Sequence, residues 1–563
     1  MNNVIKVKDL PYSRYDVADL ERTAEIFKNI ASEATSAKVI YDAYLSFNDE
    51  LERYATMGSL AYTRYTLNTR DEFYLAEQNY YDEVGPVCNN LLTEIADVLL
   101  DSPYRAELEG IFPETFFPSM ECTRKSHSPE TVADEQEENS IVTEYSQLMS
   151  QIACDFQGEN KPLSYVKGFL DNGDRSVRKE AAFSIGRALE KEKESLDSIY
   201  DRLVKVRTRI AKKLGYDNYV TLGYYRMGRI DYNKDMVAAF RSNVLEDIVP
   251  VVKKLKEGVA EALRIEKFYI YDDGVADCGE PRPYPDADGI LKAAGEMYHE
   301  MSPVTASFID KMLATEAFDT LSRDGKWGGG YATTFPSYKQ AFILANFNGS
   351  SGDVDVVTHE FGHTLAFDAY LNRDDRSVEV GSMETAETHS MSMEFFAWKY
   401  MDKFFHDVDS YKYKHLADAL SFIPYGVIVD EYQHIVYENP DMTPAERNQA
   451  YLELEKKYRP YLTYDGIPYL EEGTRWQFQM HIYESPFYYI DYCLAQVVAL
   501  EFLVDSRRDY DDALSRYLEH VKRGGLYPFG KLVEMAGLKS PFKKGALKEI
   551  AEECLKILKE LHK

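Results

Sequence analysis

Two histidines one helical turn apart, with a glutamate beside the first, are the residues in this chain best equipped for chemistry. His359-Glu360-Phe361-Gly362-His363 lies in the stretch GSSGDVDVVTHEFGHTLAFDAYLNRDDRSVEVGSMETAETHSMSME, from Gly349 to Glu394. On a helix, positions i and i+4 share a face, so both imidazoles can point at one ion. Zinc in catalytic sites takes three protein ligands and keeps a fourth position for water. Glu360 could hydrogen-bond that water and take its proton. The pattern alone is a weak signal, because a buried amphipathic helix with two satisfied histidines reads the same way.

The elements needed to position these groups are readable nearby. No proline interrupts Asp353 to Leu371, and Val354, Val357, Phe361, Leu365 and Phe367 approximate helical spacing. Asp353 follows the loop-like Gly349-Ser350-Ser351-Gly352 and is expected to cap this helix. Gly381-Ser382 breaks the pattern, and a second helix follows with Glu384, Glu387, Ser390 and Glu394. Glu387, Ser390 and Glu394 share a face at i, i+3, i+7. A helix–loop–helix turn would bring Glu387 against the two histidines and complete a His2Glu set. A merely solvated acidic face fits poorly, since Met383, Met391, Met393, Phe395 and Phe396 interleave with the carboxylates.

A second cluster follows at His481-Ile-Tyr-Glu-Ser-Pro-Phe-Tyr488-Tyr489-Ile-Asp-Tyr492. A helix is expected from about Pro486, with Tyr489 and Tyr492 at i and i+3. Phenol and imidazole donors suit the oxyanion of a tetrahedral intermediate. With 44 tyrosines in the chain, such a cluster is by itself most simply packing.

Taken together, GGGYATTFPSYKQAFILANFNGSSGDVDVVTHEFGH, ETAETHSMSMEFF, HIYESPFYYIDY and GLYPFGKLVEMAGLKSPF resemble the oligoendopeptidase F branch, which includes the Pz-peptidases, of the thimet oligopeptidase family of zinc metallopeptidases. The resemblance implies His359, His363 and Glu387 as ligands of one zinc ion and Glu360 as catalytic base. The family pattern E-x-x-S-x-x-x-E is met by Glu387, Ser390 and Glu394, which favours Glu387 over Glu384 and leaves Ser390 and Glu394 to orient the ligands. His481, Tyr489 and Tyr492 resemble the substrate- and oxyanion-binding groups, with Tyr488 a substitute for Tyr489. The implied fold is mainly α, an elongated multi-helix metallopeptidase with a deep internal channel and a small β-sheet beside the active-site helix. The implied activity is hydrolysis of internal bonds in short unstructured oligopeptides.

Composition bounds these readings. The chain has 563 residues, 45% hydrophobic and 28% charged, enough for a sizeable core in a soluble protein. A formal net charge of −30 opposes nucleic acid and anionic membrane surfaces as partners. Six scattered cysteines without a C-x-x-C pair, and a first stretch (MNNVIKVKDLPYSRYDVADL) lacking an apolar h-region, point to a reduced, cytoplasmic setting. No run approaches the ~18 apolar residues of a membrane span. Aromatics at 13%, mostly tyrosine, would suit a channel lined with rings carrying polar tips. Oligomeric state leaves no trace in the sequence.

Along the chain, residues 1 to about 12 read as extended, and 17 to about 100 as helical, punctuated by Pro86 and Pro103. Residues 112–118 read as loop, and Ser128-Pro129-Glu130 as a helix start with the helix running to about Gln151. Residues 152–163, centred on Gly158, read as a small hairpin. One long helix is expected from about Arg175 to Leu214, closed by Gly215. Arg226 and Arg229 are expected to pair with nearby acids rather than to hold substrate carboxylates. Two or three strands are expected in 325–348. Their exposed edge could pair with an extended peptide, with Gly329, Gly330, Tyr331 and Ala332 as substrate-binding candidates alongside Tyr488. The division expected is an N-terminal helical lobe, 1–190, and a catalytic domain, 191–563. Two other functions compete: a related zinc carboxypeptidase or dipeptidyl carboxypeptidase, and a non-catalytic peptide-binding relative, against which the intact Glu360 speaks.

Overall fold

The structure, a computed structural model, describes residues 5–562. It is mainly α, with a two-stranded and a three-stranded sheet among the described residues. Two compact units form, each discontinuous in sequence. The first comprises Met1–Arg124, Pro281–Val408 and Val498–Leu538, and the second Lys125–Glu280, Asp409–Val497 and Lys539–Lys563. Of the extended start expected, residues 1–4 lie outside the described residues, and Val7–Asp9 make a single 3-10 turn.

In the first unit, helices Val17–Glu33, Ala37–Leu67 and Glu72–Leu100 bury one apolar stripe each. Leu20, Phe27, Ile40, Phe47, Ile95 and Leu99 form that shared core, which packing rather than helix propensity makes stable. Pro86 does not punctuate: it sits inside Glu72–Leu100, whose apolar face is buried before and after it, at Tyr81 and Cys88. The loop expected at 112–118 is also corrected, because Phe116–Ser126 is helical. Phe116 stacks on Phe112 at 3.8 Å, and Pro118 falls in the first turn, where a missing N–H costs nothing.

The sheet beside the histidine helix also belongs to this unit. Its strands are β3 (Phe318–Leu321), β4 (Tyr331–Phe335) and β5 (Gln340–Phe347), in the order β3-β5-β4. β5 pairs parallel with β3 and antiparallel with β4, which leaves β4 as an edge.

In the second unit, the hairpin of β1 (Ala153–Phe156) and β2 (Glu159–Pro162) forms where Gln157 and Gly158, both at positive φ, make the turn. The helix expected from Ser128 begins instead at Val132, after a turn at 128–131, and ends at Gln151. The long helix expected over 175–214 is two, Arg175–Lys191 and Lys193–Lys213, with Glu192 leaving helical geometry between them. Gly215 follows the second at φ +84°.

Arg226 and Arg229 are paired with acids, as expected: Arg229 with Asp491 at 2.8 Å, and Arg226 with Glu138 at 2.8 Å. Fully buried Arg207 places Nε 2.6 Å from the Glu138 carboxylate and donates Nη1 to Tyr437 Oη at 2.9 Å. Burial alone would raise the Glu138 carboxyl, but Arg207 and Arg226 hold it below its ordinary value of 4.5. Glu138→Ala should therefore cost about 3–5 kcal/mol in denaturant unfolding, because it strands a buried guanidinium. In the parent chain this contribution is present at neutral pH and is lost as pH falls from about 4.5 through the depressed folded value. Equal midpoints for parent and variant at pH 7 would contradict it.

Candidate metal centre

The first unit brings His359, His363 and Glu387 together. One ligand atom from each lies within 4.8 Å of the others, and these are the residues so grouped among those described. Helix Gly352–Leu371 carries both histidines and Glu360, and helix Met383–Phe396 carries Glu387, Ser390 and Glu394. Asp353 does not cap its own helix. Its carboxylate accepts the backbone N–H groups of Asn348, at 3.0 Å, and Gly349, at 2.7 Å, and so ties the preceding loop to the first turn.

The close approach of the two helices depends on Gly362. A Cβ built there would lie 2.5 Å from the His389 carbonyl oxygen and 2.6 Å from Ser390 Cα. Backbone therefore packs on backbone, and Glu387 can reach the imidazoles. The neighbouring Phe361 stacks on Tyr298, with centroids 3.5 Å apart.

Glu387 Oε2 lies 3.4 Å from His359 Nε2 and 3.6 Å from His363 Nε2. Ligands at 2.0–2.2 Å from a tetrahedral ion stand roughly 3.3–3.5 Å apart, so the donor set fits a single small divalent cation. His359 Nδ1 is 2.6 Å from Glu394 Oε1, and Ser390 Oγ donates to Glu387 Oε2 at 3.1 Å. Both contacts fix the orientation of a ligand atom.

Electrostatics separate the four groups. Burial would lower the His359 imidazole, but its bonds to Glu387 and Glu394 outweigh that and raise it well above 6.5. Burial and the neighbouring His359 charge push His363 down to about 4. Glu387 stays below the usual carboxylate range despite burial, held there by the two histidines. Burial raises Glu360 to about 7, helped by Glu387 and Glu394 and opposed by His359 and the Ala332 N–H. Three carboxylates converging on two imidazoles make a field suited to a cation.

The Ala332 N–H comes from edge strand β4, a link between base and sheet that sequence reasoning missed. Tyr331 places its Oη 2.6 Å from Thr66 Oγ1, which occupies the phenol. Gly329 lies under the Trp327 indole, 1.9 Å from where a Cβ would stand, and Gly330 would place a Cβ 3.4 Å from Leu344 O.

The second unit holds the other predicted group. The His481 ring stacks on Tyr488 at 5.5 Å and meets Tyr489 edge-on at 5.0 Å and Tyr492 at 6.3 Å. Tyr488 and Tyr492 Oη are 3.0 Å apart. The helix begins at Tyr489 rather than Pro486, because Phe487 takes a left-handed φ of +66°. That strained residue is held by Gln433, whose Oε1 accepts its N–H at 3.0 Å, and its ring fits over Gly223, where a Cβ would come within 2.5 Å. Sequence reasoning also missed Gln479, whose Nε2 lies 2.7 Å from His481 Nδ1, and Tyr425, which donates to Gln479 Oε1 at 2.6 Å. No spacing rule marks either one.

Fold and site together define a mainly α peptidase with a paired-histidine helix. The family model described as Peptidase family M3 matches residues 169–552, and that of the Peptidase M3 N-terminal domain matches residues 7–127. The chain belongs to Peptidase family M3. Within it the chain sits with the oligoendopeptidase F and Pz-peptidases. The solved structure of Pz peptidase A with inhibitor 2 is 41% identical, covers 99% of both chains and superposes with a TM-score of 0.90. Oligopeptidase PepF of Bacillus subtilis (strain 168) is 23% identical over 583 residues, covering 94% of this chain and 82% of that protein. The oligoendopeptidase F homolog of Borreliella burgdorferi is 22% identical, covering 94% and 90%. No helix among the described residues is long and apolar enough to cross a membrane.

Proposed function

We propose that this peptidase is a zinc-dependent oligoendopeptidase that hydrolyses internal bonds of short unstructured peptides, with Glu360 as general base. The observation that carries the reading is the convergence of two imidazole nitrogens and one carboxylate oxygen, with the Glu360 carboxylate beside them and outside the ligand set. When bound by His359, His363 and Glu387, zinc would polarise the scissile carbonyl and acidify a coordinated water. Glu360 takes the proton of the attacking water and passes it to the leaving amine. Its elevated, near-neutral carboxyl suits that shuttle, since a base works best with a pKa near the working pH.

Glu394 and Ser390 hold His359 and Glu387 in their ligating orientations. Edge strand β4 is the candidate for pairing with the substrate backbone, around Gly329, Gly330 and Ala332. His481, Tyr489 and Tyr492 are proposed as donors to the oxyanion, with Tyr488 as an added substrate contact. Their support is the motif and the way the four rings pack on one another. The size limit on substrates rests on the likeness to oligoendopeptidases. A cytoplasmic setting rests on six cysteines that form no disulfide.

The test is hydrolysis of an internally quenched peptide blocked at both ends. Cleavage should be abolished by a chelator and restored by zinc, and Tyr492→Phe should lower turnover by about 10²–10³-fold. Cleavage only of peptides with a free C-terminus would favour a carboxypeptidase, and chelator-resistant cleavage would remove the metal from the account.

A further inference from the structure

An aromatic cluster in the first unit takes no part in the metal and proton chemistry. Tyr62, on helix Ala37–Leu67, and Trp327, in the loop before β4, both pack on Tyr331, the first residue of that strand. Their ring centroids lie 5.5 and 6.0 Å from that of Tyr331. Tyr62 is nevertheless 38% exposed and Trp327 41%, whereas the other tryptophans, Trp398 and Trp476, are buried. The loop that presents the indole is fixed. Trp327 donates its N–H to Thr66 O at 2.8 Å, and Asn346 Nδ2 donates to the carbonyls of Trp327, at 2.9 Å, and Gly329, at 2.7 Å. The ring lies on Gly329, where a Cβ would stand 1.9 Å from it.

The charges around these rings are already paired. Asp319, the carboxylate that acts on Tyr331, holds Lys326 at 2.8 Å and Arg323 at 2.6 Å. Lys326 precedes Trp327 in sequence, but its side chain is fully buried and its Nζ also donates to Leu321 O at 3.0 Å. The cluster adjoins the strand that serves Glu360, because the Ala332 N–H reaches that carboxylate and Ala332 directly follows Tyr331. Successive side chains of a strand point to opposite faces. An extended peptide laid along the β4 edge therefore sends every second side chain to the face that carries Tyr331.

We propose that Tyr62 and Trp327 form a subsite for an aromatic side chain of the peptide substrate, over Tyr331 and at one fixed position relative to the scissile bond. The inference rests on the oligoendopeptidase reading, with β4 as the edge that takes the substrate backbone, and adds which side chain is selected and by what. A phenyl ring set against two half-exposed rings removes apolar surface of both partners from water, worth about tenfold or more in affinity. A guanidinium or ammonium over the same rings keeps much of its hydration and gains about two- to fivefold. An alanine side chain leaves the indole and the phenol wet. Because hydrogen bonds already hold the loop, binding adds little cost for ordering it.

The test is cleavage, by the zinc-loaded full chain, of alanine-rich peptides blocked at both ends and carrying one phenylalanine or one arginine at successive positions, with products mapped by mass spectrometry. Phenylalanine at one position is expected to raise kcat/KM at least about tenfold over alanine, through KM, and arginine there no more than about fivefold. Trp327→Ala should cut the phenylalanine preference about tenfold, Tyr62→Ala should cut it about threefold, and Trp327→Phe should keep most of it. Both rings are half exposed, so these variants should keep the parental melting temperature. Iodide quenching of tryptophan fluorescence in the presence of a chelator gives a second readout, since Trp398 and Trp476 are buried and Trp327 is not. The phenylalanine peptide should protect Trp327, and the all-alanine peptide should not. No preferred position, an equal preference for arginine, a preference unchanged in Trp327→Ala, or no protection of Trp327 would overturn the proposal. So would protection that rises with protein concentration alone, which would give the rings to a second copy of the chain. Loss of all cleavage while the phenylalanine peptide still protects Trp327 would count against the metal centre and not against this subsite.

Discussion

Glu360→Gln is expected to lower kcat for a quenched peptide by about 10²–10⁴-fold while the protein keeps its full complement of metal. Glutamine preserves the volume and can still accept the Ala332 N–H, so the helix and the ligands on either side should stay where they are. It cannot take a proton from water. The substitution therefore separates holding the ion from using it, and metal analysis beside turnover reads the two independently. Full activity with full metal would place the base elsewhere. Lost metal would make Glu360 a structural member of the ligand set.

Gly362→Ala is expected to do the opposite, reducing metal affinity and activity together. The added methyl would stand 2.5 Å from the His389 carbonyl oxygen and 2.6 Å from Ser390 Cα, both backbone atoms with no rotamer to yield. Overpacking of this kind costs about 1–3 kcal/mol, and the two helices must part to relieve it. Glu387 lies three residues before Ser390 and moves with it, away from His359 and His363. A misplacement of ~1 Å is worth about 10²-fold in rate. Equilibrium dialysis of the ion and a thermal melt check both halves, and parental affinity at parental stability would show that the helices tolerate the methyl. The substitution leaves the charges of the site unchanged, so electrostatics alone would forecast no effect.

Much of this protein is legible without coordinates because the signals are local. The i, i+4 histidines and the i, i+3, i+7 run of Glu387, Ser390 and Glu394 follow from helical periodicity, and so do most of the helices of both units. The hairpin of β1 and β2 is written in Gly158 and its neighbours, and the mainly α class in the long stretches of 3.6-residue repeat. Net charge, the scattered cysteines and the four family motifs are likewise properties of the chain alone.

Other features needed the folded chain. That Pro86 would be absorbed, that Phe116 would start a helix, and that 175–214 would break at Glu192 are decided by what packs against those segments, which local propensity does not contain. Gly362 reads in sequence as an unmarked x of the motif, yet it sets the distance between two helices. The Ala332 N–H on Glu360 and the Gln479 amide beside His481 are long-range facts. Periodicity fixes which side chains share a face. Only the packed structure decides which backbone group a carboxylate meets.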